Sequence, residues 1–161
     1  MTAQTTLESQ ESKRITTKDI GRHLPTAGRV LLGLIFFVFG LNGFLNFLPQ
    51  PSNEPEAALA FAGALFKTGY MFPLLKGTEV IVGTLLLSGR FVPLALALVA
   101  PIIVNIFAFH AFLAPAGLGL ASVILGLEIY LAWAYREAFR PMLASRVAPG
   151  SQGASTAEAV R

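Results

Sequence analysis

Two long stretches of the chain carry no charged side chain. Residues 30–53 and 91–127 contain no Asp, Glu, Lys or Arg. A helix needs ~20 apolar residues to cross a hydrocarbon core about 30 Å thick, and each stretch is longer than that. Only 13% of the 161 residues are charged, whereas soluble domains typically have roughly 25%. The sequence therefore predicts a single domain that lies in a lipid bilayer.

Four segments have the length and composition of membrane spans. They are residues 27–48, 71–88, 91–113 and 118–135. These segments predict an all-α fold, a four-helix transmembrane bundle over residues 27–143, in which consecutive spans are antiparallel because two of the three links are short. The polar segments 1–26 and 144–161 are predicted to be disordered cytoplasmic tails.

The link between spans one and two is longer and contains EAALAFAGALFKTG. Its composition predicts a short interfacial helix that lies along the membrane surface. Two interpretations of this helix remain open. It is either a simple connector or a lid over the bundle.

The basic residues are concentrated on one side of the predicted spans. That side carries Lys13, Arg14, Lys18, Arg22, Arg29, Arg90, Arg136, Arg140 and Arg146, whereas the opposite side has only Lys67. Cytoplasmic loops are enriched in Lys and Arg, so both termini are predicted to be cytoplasmic in a multi-pass protein of the cell (inner) membrane. Basic residues placed at span ends do not form a nucleic-acid-binding face, and we expect no nucleic acid partner.

The composition also limits the chemistry that the chain can perform. It has no cysteine and two histidines, which excludes disulfides and thiolate metal sites and leaves no His-based metal cluster to predict. No nucleophile–base pair or phosphate loop is evident, so a stand-alone enzyme is not expected. His110 is interpreted as an interfacial residue, and the FFVF and FAF runs as packing or lipid-facing residues.

Six polar residues lie inside the predicted spans. A charge near the bilayer centre costs roughly 2.5–3.5 kcal/mol, so such residues require an explanation. Counted at 1.5 Å per residue from the cytoplasmic markers, three of them lie ~20 Å deep and the two carboxylates about 16 and 12 Å deep. The candidate ligand-binding cluster is therefore Asn42, Asn46, Lys76, Glu79, Asn105 and Glu128.

Two interpretations of this cluster remain. In the first, Lys76 pairs with a carboxylate and the asparagines bond across the bundle, which stabilises the fold and nothing more. In the second, the cluster lines a cavity that opens toward the outer face and binds a small ligand or relays protons. One lysine cannot neutralise both Glu79 and Glu128, so one carboxyl is protonated or reached by water.

Three segments carry a resemblance to a known family. They are GRVLLGLIFFVFGLNGF in the first span, KGTEVIVGTLLLSGRFVPLAL in and after the second, and LEIYLAWAYREAFRPML at the end of the fourth. Over residues 27–143 the chain resembles the DoxX family of small four-helix integral membrane proteins. The residues of this chain that match the family's pattern are Glu79 with its neighbours Lys76 and Gly83, and the Gly89-Arg90 turn.

The resemblance implies a function that the residues alone do not. The family takes its name from a membrane subunit associated with a thiosulfate:quinone oxidoreductase. It therefore implies a membrane anchor, or a component that binds quinone or another small ligand, in a redox-linked assembly with a partner protein. Thiol chemistry by this chain is not implied, since it has no cysteine. The alternatives are a small transporter, which would need a homo-oligomer, and a purely structural membrane partner.

Overall fold

The computed structural model describes residues 2–49 and 53–145, with side chains from residue 23 onward within those ranges. All regular structure in these ranges is helical. The helices are α1 (Thr2–Leu45), α2 (Glu56–Lys67), α3 (Met71–Ser88), α4 (Val92–Phe112), α5 (Leu118–Ala134) and α6 (Arg136–Phe139), with short 3₁₀ turns at Pro115–Gly117 and Arg140–Leu143.

Four helical segments are long and apolar enough to cross a membrane. They are His23–Leu45, Met71–Ser88, Val92–Phe112 and Pro115–Ala134. The prediction of an all-helical chain with four candidate membrane spans is therefore confirmed. Many large apolar side chains on the outer faces of these helices are exposed, among them Leu34, Ile81, Leu98, Val104 and Ile129. An apolar outer surface of this kind is typical of helices that face lipid.

The first helix extends well beyond its apolar part. Composition predicted a disordered tail up to residue 26, whereas α1 is continuous from Thr2 through Pro25. Gly21 and Pro25 lie within this helix although both disfavour it, and residues 2–20 contain neither Gly nor Pro. In the predicted C-terminal tail, residues 146–161 lie outside the described part of the chain.

Helices α1 and α3 approach each other closely because glycines lie between them. A Cβ added at Gly40 would lie 2.9 Å from the backbone nitrogen of Val80, and one at Gly83 would overlap the backbone of Phe37. Small residues at a helix interface allow such an approach and increase van der Waals contact. The α1–α3 pair is therefore the tightest contact of the bundle.

Arg29 shows that α1 and α3 run antiparallel. Its guanidinium, near the start of the apolar part of α1, donates to the carbonyl of Leu86 and, at 3.4 Å, to that of Leu87 in the last turn of α3. The last carbonyls of a helix have no partner within the helix and carry partial negative charge, so an arginine stabilises them.

The remaining spans complete a ring in sequence order. Helix α3 packs on α4, α4 on α5, and α5 returns to α1, where a Cβ at Gly28 would lie 3.6 Å from Leu127. The largest fully buried side chains in the centre are Phe36, Leu32, Leu86, Leu96, Ile103, Leu131, Val82 and Val99. The ring of helices has two ends. The basic end carries Arg29, Arg90, Arg136 and Arg140, and the other end, which α2 adjoins, is called the α2 end.

Candidate functional site

A cavity of about 310 Å³ lies at the α2 end of the bundle, and all five of the longer helices contribute to its wall. Five phenylalanine rings form much of this wall: Phe36, Phe39, Phe61, Phe72 and Phe109. Four polar side chains face the same space: Lys76, Glu79, Asn105 and His110. Apolar walls with a few polar groups are typical of small-molecule sites.

Lys76 and Glu79 form an ion pair in the wall of the cavity. The Lys76 Nζ lies 2.8 Å from Glu79 Oε2, and the two side chains are 20% and 3% exposed. The pair is one helical turn apart on α3, which places both groups on one face. The ammonium has three N–H donors, so the bond to Glu79 leaves donors for a ligand.

The position of the Lys76 side chain depends on a glycine in α1. A Cβ added at Gly43 would overlap the Cγ and Cδ atoms of Lys76. The aliphatic part of the lysine therefore lies against the backbone of α1, while the ammonium reaches Glu79 and lies 6.0 Å from the centroid of the Phe72 ring. Close packing of α1 and α3 thus also positions the ion pair.

Asn105 lies on α4 at an edge of the cavity. The residue is exposed, as are the lining residues Phe61 and Leu120, so the cavity is open along this edge. An amide both donates and accepts hydrogen bonds. Asn105 is therefore placed to contact a polar group of a ligand at the opening.

His110, predicted to be an interfacial residue, is half-buried and lines the cavity. Its Nδ1 lies 3.0 Å from the carbonyl oxygen of Ala114. A carbonyl oxygen only accepts hydrogen bonds, so Nδ1 carries the proton in this bond. The ring is thus held by the turn that joins α4 to α5.

Helix α2 covers one side of the cavity. Phe61, Ala62 and Leu65 contribute to the wall, and the Phe61 ring lies 5.6 Å from that of Phe109. The hydroxyl of Thr68 donates to the Leu65 carbonyl at 2.7 Å and accepts from the Met71 N–H at 3.0 Å, which ties α2 to the start of α3. Helix α2 therefore forms part of the cavity wall and is joined to α3 by a hydrogen-bonded turn.

Asn42 and Asn46 lie at the end of α1 and do not belong to the cavity wall. The Asn42 Oδ1 accepts a hydrogen bond from the Leu48 N–H at 2.7 Å. Asn46 follows the helix with a φ of 49°, a left-handed conformation that asparagine adopts more readily than most residues and that often ends helices. The Asn42 side chain and the Asn46 backbone therefore both belong to the end of α1.

Glu128 is buried, 7% exposed, on the inner face of α5 that also carries Ile124 and Leu131. It does not contribute to the cavity wall. Its Oε2 has no hydrogen-bond partner within the described residues. Of the six residues in the predicted cluster, the structure thus brings Lys76, Glu79 and Asn105 together and separates the other three from the cavity.

The sequence does not indicate that the phenylalanines and His110 belong to the site. Phe36 and Phe39 belong to the FFVF run and Phe109 to the FAF run, which were predicted to be packing or lipid-facing residues. The contribution of Phe61 depends on how α2 folds over the bundle, and no pattern in the sequence specifies that. Among the described residues, no group of three His, Asp or Glu side chains could hold a metal ion.

No family model, curated protein or solved structure matches this chain.

Proposed function

We propose that this chain is a multi-pass membrane protein that binds a small lipophilic ligand with a ring-shaped polar head group. The observation that carries the proposal is the partly buried Lys76–Glu79 ion pair in the wall of a phenylalanine-lined cavity. Aromatic side chains pack favourably against a flat ring, and the free donors of Lys76 suit an acceptor oxygen. The cavity volume of about 310 Å³ suits a small ligand.

A quinone head group is the ligand class that we favour. It is a flat ring with two carbonyl oxygens, one of which can accept from Lys76 while the ring lies among the phenylalanines. The open edge beside Asn105 would allow an apolar tail to extend into the surrounding lipid. The protein would then act as the membrane anchor or quinone-binding component of a redox-linked assembly, in line with the sequence resemblance to the DoxX family.

The distribution of charge supports one orientation in the membrane. The basic end of the bundle carries Arg29, Arg90, Arg136 and Arg140, and we place this end and both termini in the cytoplasm of a cell membrane. The cavity would then open toward the outer half of the bilayer. Helix α2 would lie at the outer membrane surface as an interfacial lid.

Direct binding of a soluble quinone tests the proposal. The purified protein in lipid nanodiscs is dialysed to equilibrium against tetramethylbenzoquinone, and the bound quinone is measured by absorbance. We expect saturable binding that Lys76→Met weakens by about tenfold or more, because loss of a charge-assisted bond of about 1.5–3 kcal/mol corresponds to that factor. Quinones that copurify in mild detergent are identified by mass spectrometry in parallel.

Lys67→Met is the matched control, since Lys67 is an exposed lysine at the end of α2 that does not line the cavity. It should bind the quinone as the wild type does. Absence of saturable binding by the wild type, or equal weakening by Lys67→Met and Lys76→Met, would contradict the proposal. A thermal melt of each variant separates loss of binding from loss of folding.

A further inference from the structure

We infer that His110 accepts a hydrogen bond from a hydroxyl group of the ligand, so that the cavity selects an aromatic ligand with an O–H donor over the same ring with carbonyl oxygens only. The inference rests on the proposed function and specifies the ligand class that this site prefers. Its starting point is the bond between His110 Nδ1 and the Ala114 carbonyl, 3.0 Å long.

This bond determines which ring nitrogen is available. Because Nδ1 donates to a carbonyl, the neutral imidazole carries its proton there and Nε2 has a free lone pair. Nε2 is then an acceptor only, and it belongs to a ring that lines the cavity. A ligand hydroxyl can satisfy it, whereas a ligand carbonyl cannot.

The turn after α4 holds the imidazole in place. The Ala114 carbonyl also accepts from the Gly117 N–H at 3.1 Å, and the Ala114 N–H donates to the Phe109 carbonyl at 3.1 Å. The Ala114 residue is buried. The acceptor of the histidine bond is therefore fixed by two further backbone bonds, so the ring is positioned before a ligand arrives.

Gly117 provides the space that the ring occupies. A Cβ added at Gly117 would overlap the imidazole of His110. Any larger residue at this position must displace the ring from the Ala114 carbonyl. By contrast, a Cβ at Gly119, two residues later, meets no atom within 4 Å among the described residues.

The two ends of the ligand would face groups of opposite hydrogen-bonding character, donors at one end and an acceptor at the other. Lys76 presents N–H donors to an acceptor oxygen, and His110 presents an acceptor to a hydroxyl. A hydroquinone fits both, since each of its oxygens can donate or accept. A quinone fits Lys76 but would cover His110 Nε2 without offering it a donor, which disfavours binding.

The test compares tetramethylhydroquinone with tetramethylbenzoquinone, two rings of the same size, on the protein in nanodiscs under argon. We expect the wild type to bind the hydroquinone about tenfold more tightly. His110→Asn retains an amide that can donate to the Ala114 carbonyl but has no atom in the place of Nε2. The ratio of the two dissociation constants should fall toward one, because the hydroquinone loses its acceptor and the quinone no longer leaves Nε2 without a donor. A thermal melt checks that the variant is folded.

Two glycine variants form a matched pair for the same measurement. Gly117→Ala should reduce the preference because it displaces the imidazole, and Gly119→Ala should leave it as in the wild type. Equal affinity of the wild type for the two rings, or a preference that survives in His110→Asn, would overturn the inference while leaving the proposed function intact. If the wild type binds neither ring, the proposed function itself fails.

Discussion

Glu79 and Glu128 are both buried carboxyl-bearing residues on the inner faces of apolar helices, yet their surroundings differ. Glu79 lies at the cavity and accepts from Lys76 at 2.8 Å. Glu128 lies one turn beyond Ile124, away from the cavity, and its Oε2 has no partner among the described residues. Burial of a carboxylate is costly unless it is paired. The bond from Lys76 therefore stabilises Glu79, whereas burial of the unpaired Glu128 lowers the stability of the fold.

The comparison shows how location decides the role of a buried carboxyl group. At the α2 end, the missing side chain of Gly43 leaves space for the Lys76 side chain, and the cavity leaves space for a ligand. Around Glu128 the neighbours on the same face of α5, Ile124 and Leu131, belong to the packed core. A buried polar side chain thus has a partner where small residues leave space in the bundle. It lacks one where large apolar side chains fill that space.

The largest expected effect comes from removing Glu79. Glu79→Leu should destabilise the protein by about 3 kcal/mol, because removal of one partner of a buried ion pair leaves the other charge uncompensated. Lys76 is 20% exposed, which keeps the effect near the lower limit of the range for buried pairs. The free energy of unfolding in mixed micelles, measured by SDS titration, checks this value. An unchanged unfolding curve would remove the distinction between the two carboxyl residues.

The second effect is the recovery of stability in a double variant. Lys76→Met combined with Glu79→Leu should regain about 2 kcal/mol relative to Glu79→Leu alone, since replacing both members of a buried pair by apolar residues is often close to neutral. The four proteins of this double-mutant cycle are compared in the same titration. Additive losses would mean that the two side chains do not depend on each other.

The smallest effect has the opposite sign. Glu128→Leu should stabilise the protein by about 1 kcal/mol, because it removes a buried oxygen that lacks a hydrogen-bond partner. The same titration and a thermal melt provide the measurement, with Glu79→Leu as the opposing control. Destabilisation of a size similar to that of Glu79→Leu would show that Glu128 has a stabilising partner, and the contrast between the two residues would fail.

The helical architecture was largely predictable from the sequence. The expected second span, residues 71–88, coincides with Met71–Ser88, and the third, residues 91–113, encloses Val92–Phe112. Apolar runs of this length have few stable alternatives to helix when they are bounded by Pro, Gly or charged residues. The extent of α1 differed because composition does not show whether a polar segment continues an adjoining helix.

The candidate site was predictable only in part. Counting residues along each helix placed Asn42, Lys76 and Asn105 at a similar depth, but depth does not determine which side chains meet. The Asn42 Oδ1 accepts from the Leu48 N–H, in the segment that follows α1, whereas Asn105 lines the cavity. A backbone N–H beyond a helix end needs an acceptor, and a count of residues does not show that the Asn42 side chain supplies it.

The sequence by itself determined that this chain forms apolar helices of membrane-spanning length and that very few charges lie within them, since both follow from composition and local spacing. Only the tertiary structure decided that the Lys76–Glu79 pair lines a cavity, that His110 joins it and that Glu128 does not. The physical reason is steric: glycines at positions 43, 83 and 117 allow close approach. Which groups then meet depends on how distant segments pack.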